Sequence, residues 1–181
     1  MKFTETSLKG AFIIAPEPVH DERGMFARTW CQGEFEAQGL KVTWVQNNVS
    51  LNYKRGTIRG MHYQAPPNEE VKLVRCIKGS IYDVIVDLRP DSPTFCQHAA
   101  VILSAENRRA LYIPHGFAHG FQTLWDDSEL FYHMSSFYEP SSARGFRWDD
   151  PMISIKWPEP LTVISDKDRS WPPLERTRRD E

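Results

Sequence analysis

Hydrophobic and polar positions alternate along much of this chain, with the period of short strands. Tyr82, Val84, Val86 and Leu88 recur at every second residue and predict one buried face of a strand over Ser80 to Leu88. Further strands are predicted over Trp44 to Leu51, Thr57 to Gln64, Val71 to Ile77, Cys96 to Leu103, Arg109 to Ile113, Phe117 to Leu124 and Leu130 to Tyr138. Toward the amino end, Ala11 to Ile14 reads as a short apolar strand and Met25 to Trp30 as a mixed one, with a turn over His20 to Gly24 before it. Lys78-Gly79 is a tight-turn signal between two strands. Gly33 to Gln38 is the best helical segment, stopped by Gly39. Many short strands punctuated by Gly, Pro, Asn and Asp predict an all-β sandwich or barrel. Beyond Tyr138 the pattern loosens around Pro140, Pro151, Pro158 and Pro160, and that segment is expected to wrap the barrel. The organisation expected is one domain over 1–174 and a charged tail over 175–181 that frays.

Composition narrows the function classes. A chain of 181 residues with 40% hydrophobic and 25% charged residues is that of an ordinary globular domain. The formal net charge of −2 gives no bulk attraction to nucleic acid or to a membrane surface, so an anionic ligand must be held by locally placed Arg and Lys. Cys31, Cys76 and Cys96 are odd in number and widely spaced, which reads as reduced thiols serving as small core residues. The amino-terminal stretch has no long apolar run, so neither a signal peptide nor a membrane span is expected, and the cytoplasm is the default compartment.

The chemistry gathers around Gly56 to Gln64. This stretch reads as a strand, yet it carries Arg59, His62 and Gln64, groups that a strand has little reason to hold unless they face a cavity. Lys72 follows inside the apolar run Val71 to Val74 and either faces water or enters a polar pocket. Strict alternation sets Arg59 and His62 on opposite faces, unless Gly60 marks a bulge that turns both inward. A lone histidine is more often a core residue bonded to a carbonyl. Three features favour the site: the nearby lysine, His119 in a second motif, and the aromatic strand around Tyr132. Base, cation and phenol together suit proton abstraction beside a carbonyl. His20, His98, His115 and His133 lack such context.

Pro114, Gly116 and His119 match the second motif of the cupin superfamily, whose fold is a jelly-roll barrel. The first motif is incomplete: His62-Tyr63-Gln64 with Glu69 lacks one histidine. A divalent metal on His62, Glu69 and His119 is therefore the weaker reading, and a metal-free site the stronger.

A longer series of motifs resembles one family. It comprises Asp21-Glu22-Arg23-Gly24-Met25-Phe26, Gln46-Asn47-Asn48-Val49-Ser50, Arg59-Gly60-Met61-His62-Tyr63-Gln64, Lys72-Leu73-Val74, Asp83 to Arg89, Ser92-Pro93-Thr94, Gly116 to Phe121, Trp148 to Pro151 and Ser165-Asp166-Lys167-Asp168. In order and spacing, these resemble the dTDP-4-dehydrorhamnose 3,5-epimerases, metal-free cupins, over about residues 8 to 174. The resemblance implies a nucleotide 4-keto-6-deoxy sugar as substrate, no cofactor, and inversion at the two carbons flanking the ketone. It implies His62 as base, Tyr132 as the acid on the opposite face, Asp168 as the partner of the histidine, and Lys72 at the keto oxygen. Arg23 and Arg59 would take the diphosphate, as forked guanidinium donors do. Phe26, Gln46, Asn48, His119 and Lys167 would contact substrate, and Tyr138 would stack on the base. A homodimer is also implied, with the Arg23 segment reaching into the neighbouring site. His20, Arg28 and Ala143 depart from the family pattern, at positions expected near the nucleotide. The competing readings are a one-centre epimerase, a ketoisomerase and a non-catalytic sugar-binding cupin.

Overall fold

The computed structural model describes residues 1–40 and 43–175. Its strands in chain order are β1 (Lys2–Glu5), β2 (Phe12–Ala15), β3 (Val19–Asp21), β4 (Gly24–Phe26), β5 (Gln46–Asn52), β6 (Ile58–Gln64), β7 (Lys72–Lys78), β8 (Ser80–Asp87), β9 (His98–Ser104), β10 (Ala110–Ile113), β11 (Phe117–Thr123), β12 (Ser128–Met134) and β13 (Ala143–Gly145). Two short helices, α1 (Gln32–Ala37) and α2 (Asp166–Arg169), complete the secondary structure. A six-stranded sheet runs β1-β2-β10-β7-β12-β5 and a five-stranded sheet runs β13-β6-β11-β8-β9. The expected all-β jelly-roll class is what the chain forms. The tail expected at 175–181 lies, from 176 onward, outside the described residues.

The sheets face each other across an apolar layer. Val74, Cys76, Leu111 and Leu130 come from one sheet and Ile81, Ile85, Leu103 and Phe121 from the other, all buried. Burying such side chains stabilises a fold by roughly 1.5–3 kcal/mol each, and this layer fixes the spacing of the two sheets. On the outer side of the six-stranded sheet, α1 sets Phe35 against Leu73, Tyr112 and Ile14.

Several expectations shift at their edges. The mixed strand expected over Met25 to Trp30 shrinks to Gly24–Phe26, and the strand expected to reach Tyr138 stops at Met134, leaving Tyr138 on the loop that follows. Tyr82, Val84 and Val86 do share a face, but it is not the only buried one. The carboxy-terminal segment lays Phe146, Ile153, Ile155 and Trp157 over it, while Ile81 and Ile85 point between the sheets. The Lys78-Gly79 turn joins no hairpin. It carries the chain from β7 in one sheet to β8 in the other. Gly79 has φ +76, and a Cβ there would meet the Ser128 side chain and, at 3.1 Å, its Cα. The segment after Tyr138 wraps the barrel as expected and adds β13 to the edge of β6.

Candidate active site

The two sheets part at one end to form a cleft with two lobes. The inner lobe, about 250 Å³, is lined by His62, His119, Tyr132, Lys72, Arg59 and Asn48, among others. The outer lobe, about 560 Å³, shares Asn48, Arg59, His62 and Lys72 and adds Gln46, Glu70, Tyr138, Lys167, Asp168 and Trp171. Register explains the grouping. His62 on β6 is paired with His119 on β11. On the facing sheet Tyr132 is paired with Asn48 on one side and Val74 on the other, and Met134 with Gln46 and Lys72. The imidazoles thus enter from one sheet, and the phenol and the ammonium from the other.

Arg59 and His62 both reach this cleft because β6 is bulged. Between the pairs Arg59–Phe121 and His62–His119, β6 advances three residues while β11 advances two. Gly60 accommodates the extra residue with φ +132, and a Cβ there would lie 2.6 Å from Gly120 Cα. Of the two arrangements open from sequence, the bulge is the one formed.

Several polar groups in the cleft are held by others. His62 Nε2 lies 2.6 Å from Asp168 Oδ1, and the Gly60 amide donates to Asp168 Oδ2 at 3.2 Å. The His62 side chain is 40% exposed while Asp168 is 6% exposed, so the ring opens to the cleft with the carboxylate behind it. Burial opposes ionisation of Asp168, but the His62 bond and charge and the Gly60 amide outweigh it and hold the carboxyl below its usual range. The placement comes from α2, where Ser165 Oγ accepts from the Asp168 amide at 3.1 Å as the helix cap. Tyr132 Oη is 3.1 Å from Ser50 Oγ. Burial pushes the phenol above its ordinary value and the Asp83 carboxylate adds to this, against the Ser50 bond and the Arg59 charge. His119 Nε2 bonds Asp83 Oδ1 at 2.8 Å.

The structure also shows residues that sequence reasoning passed over. Glu70 pairs with Lys72 at 2.9 Å, whereas Glu69, the residue of the metal alternative, lines neither lobe. Among the described residues, no group of three or more His, Cys, Asp or Glu is placed to hold a metal ion. Asn52 Oδ1 accepts from Arg59 Nε at 2.7 Å, and Trp171 walls the outer lobe beneath Lys167, 5.7 Å from Nζ to ring centroid. Burial of an acid or amide beside a cation was the signal available for Glu70 and Asn52, but it needs the fold to be seen.

Arg23 and Phe26 are not brought to the cleft of their own chain. They lie on the β3–β4 hairpin, a separate two-stranded sheet, with Phe26 79% exposed and Arg23 bonded to Asp21 at 2.6 Å. Of the departures, Ala143 lines the outer lobe, but His20 lies on the hairpin and Arg28 follows it, paired with Glu34 at 3.0 Å. Within one chain these positions therefore do not cluster, because the hairpin stands apart from the two large sheets.

The chain is similar to known proteins over nearly its whole length. The family model described as dTDP-4-dehydrorhamnose 3,5-epimerase matches residues 5–176. The dTDP-4-dehydrorhamnose 3,5-epimerase of Methanothermobacter thermautotrophicus is 47% identical over 96% of this chain and 94% of its own length. Among solved structures, the Bacillus anthracis enzyme of that name, with TDP and PPi bound, superposes with a TM-score of 0.93 at 42% identity, covering 96% of this chain and 99% of that one. The Legionella pneumophila enzyme, in complex with dTDP-4-keto-L-rhamnose, gives 0.89 at 36% identity over 95% and 92%. With the motifs, the jelly roll and the near full-length matches in agreement, the chain belongs to the dTDP-4-dehydrorhamnose 3,5-epimerase family and is an epimerase of sugar nucleotides.

Proposed function

We propose that this member of the family converts dTDP-4-dehydro-6-deoxyglucose to dTDP-4-dehydro-L-rhamnose by inverting C3 and C5 in turn. The observation that carries the reading is that His62 and Tyr132 enter the inner lobe from facing sheets. With Nε2 bonded to Asp168, His62 keeps Nδ1 as its basic nitrogen. Nδ1 takes the proton from the carbon beside the ketone, and the electron pair moves to the keto oxygen. Lys72 receives that enolate charge as a preorganised cation. Tyr132 then returns a proton to the opposite face, the carbonyl re-forms, and the centre is inverted. The environment that raises the phenol keeps its proton in place until the enolate calls for it. These steps use side chains alone and involve no metal or cofactor.

Arg59 is proposed to hold the diphosphate. Gln46, Asn48, His119 and Lys167 are proposed to contact the rest of the ligand, and Tyr138 to stack on the base. All of these line the cleft. Arg23 and Phe26 serve by reaching a neighbouring cleft in a homodimer, a reading supported by a hairpin that exposes Val19, Met25 and Phe26. Residues 1–174 act as one unit, in the cytoplasm. Among the described residues no helix is long and apolar enough to cross a membrane. The test is incubation with dTDP-4-dehydro-6-deoxyglucose in D₂O, following deuterium at C3 and C5 by NMR. Incorporation at both carbons is expected. None at either overturns the reading, and incorporation at one restricts it to a single centre.

A further inference from the structure

Among the described residues, Arg59, Lys72, Arg144 and Lys167 line the cleft, and their surroundings differ. Arg59 bonds through Nε to Asn52 Oδ1 at 2.7 Å and through Nη2 to the Leu51 carbonyl at 3.5 Å, both neutral acceptors. Arg144 Nη1 bonds to the carbonyls of Ser141 and Ala143, each at 2.9 Å. Lys167 rests over the Trp171 ring. Among the described residues none of these three has a carboxylate partner. Lys72 has one: its Nζ lies 2.9 Å from Glu70 Oε1, and the two side chains are 10% and 8% exposed. Glu70 is itself fixed, since its Oε2 accepts from Gln64 Nε2 at 3.3 Å. Gln64 is held in turn by the carbonyls of Asn68 and Phe137 and by the Glu139 amide. Glu70 lines the outer lobe only, whereas Lys72 borders both.

This pattern has an electrostatic consequence. A guanidinium bonded to neutral acceptors keeps its full charge toward an incoming anion. An ammonium in contact with a carboxylate presents only a dipole, whose field falls off faster with distance. A diphosphate entering the cleft is therefore drawn to Arg59 and Lys167 rather than to Lys72. Lys72 still has three N–H donors, and at contact distance one of them suffices for the keto oxygen and for the charge that oxygen gains as the enolate forms. We propose that Glu70 is a specificity-determining residue that masks Lys72 from the diphosphate and reserves it for the sugar. The proposal rests on the reading above, in which the cleft takes a nucleotide diphosphate sugar. Without the mask, a diphosphate pairs with Lys72, slides inward and displaces the sugar from between His62 and Tyr132.

Inorganic pyrophosphate is the probe, titrated calorimetrically into the full chain as wild type, Glu70→Gln and Glu70→Gln/Lys72→Met. Glutamine keeps the shape of Glu70 and can still accept from Gln64. Wild type and the double variant each carry no net charge at these two positions, so only the single variant unmasks the ammonium. It should bind pyrophosphate about tenfold more tightly than either of the others, with a steeper fall in affinity as salt rises. A single variant that binds no more tightly than wild type overturns the proposal. So does a double variant that gains as much as the single one, because the gain then comes from losing the Glu70 charge and not from exposing Lys72. Neither variant leaves a buried carboxylate unpaired, and thermal melting verifies that both fold. Turnover tests the underlying reading separately. A double variant that epimerises at the wild-type rate removes Lys72 from the chemistry, while the pyrophosphate comparison still decides the role of Glu70.

Discussion

The cleft and the β3–β4 hairpin carry the same kinds of side chain under opposite conditions. In the cleft, His62 is braced by Asp168 from a distant stretch of chain, with the carboxylate 6% exposed. On the hairpin, Arg23 is braced by Asp21, two residues away, with side chains 85% and 48% exposed. The cleft sits between two large sheets, whereas among the described residues the hairpin pairs with no other strand, and it leaves Val19 71% and Phe26 79% exposed. A two-stranded ribbon alone is marginal in water, and a buried pair keeps its geometry where an exposed one is screened. Under the proposed function, one chain preorganises the chemistry by itself, and the arm would gain a fixed surrounding from a second surface.

The sharpest way to break this comparison is at the proposed base, His62. His62→Ala should lower deuterium wash-in at C3 and C5 by ~10²–10⁴-fold, with the fold and dTDP binding retained. Wash-in near the wild-type rate would show that another group takes the proton. A mixing experiment then separates cleft from arm. His62→Ala and Arg23→Ala proteins, each impaired alone, should on co-expression form mixed dimers with one complete site. Activity should recover toward about a quarter of wild type, the statistical share for a two-fold dimer. Additive residual activity, with no recovery, would mean that each arm serves its own chain.

A smaller effect concerns the outer lobe. Ala143 lines it and offers no hydrogen bond to a base edge. Titration of dTDP, UDP and CDP should show weak discrimination in wild type, and Ala143→Glu should improve it by ~0.5–1.5 kcal/mol, the worth of one hydrogen bond. A strong wild-type preference for dTDP that the substitution leaves unchanged would assign base reading elsewhere. Arg28, paired with Glu34, should not alter these affinities within its own chain.

The smallest effect is a pH contrast between two carboxyls. Asp168 and Asp21 both sit below their ordinary value of 3.8, the first against burial through His62 and Gly60, the second through Arg23. A lowered folded-state value contributes stability above pH 3.8 that is lost as pH falls through the folded value. The melting difference between wild type and Asp168→Asn should therefore hold near neutrality and shrink below that pH. Asp21→Asn should show almost no difference at any pH, because its pair is open to solvent. Equal behaviour of the two would contradict the contrast between braced cleft and open arm.

Alternation and turn chemistry are local, and what is local was legible in the sequence. The strand class, the helix stopped at Gly39, the wrapping carboxy-terminal segment and the chemical types at His62, Lys72 and Tyr132 all follow from residues within a few positions of one another. The two carboxylates nearest these groups were unequally legible. Asp168 is legible through a motif resemblance, whereas Glu70 is marked only by its i, i+2 spacing to Lys72, and the contact between them needs the fold. Only the tertiary structure decided that the bulge at Gly60 turns Arg59 and His62 into one cleft, that the turn at Gly79 crosses between sheets, and that both faces of β8 are covered. The reason is physical. A period of two states which residues share a face, but which face is buried, and by what, depends on strands paired and packed across long separations, and those contacts leave no local pattern in the chain.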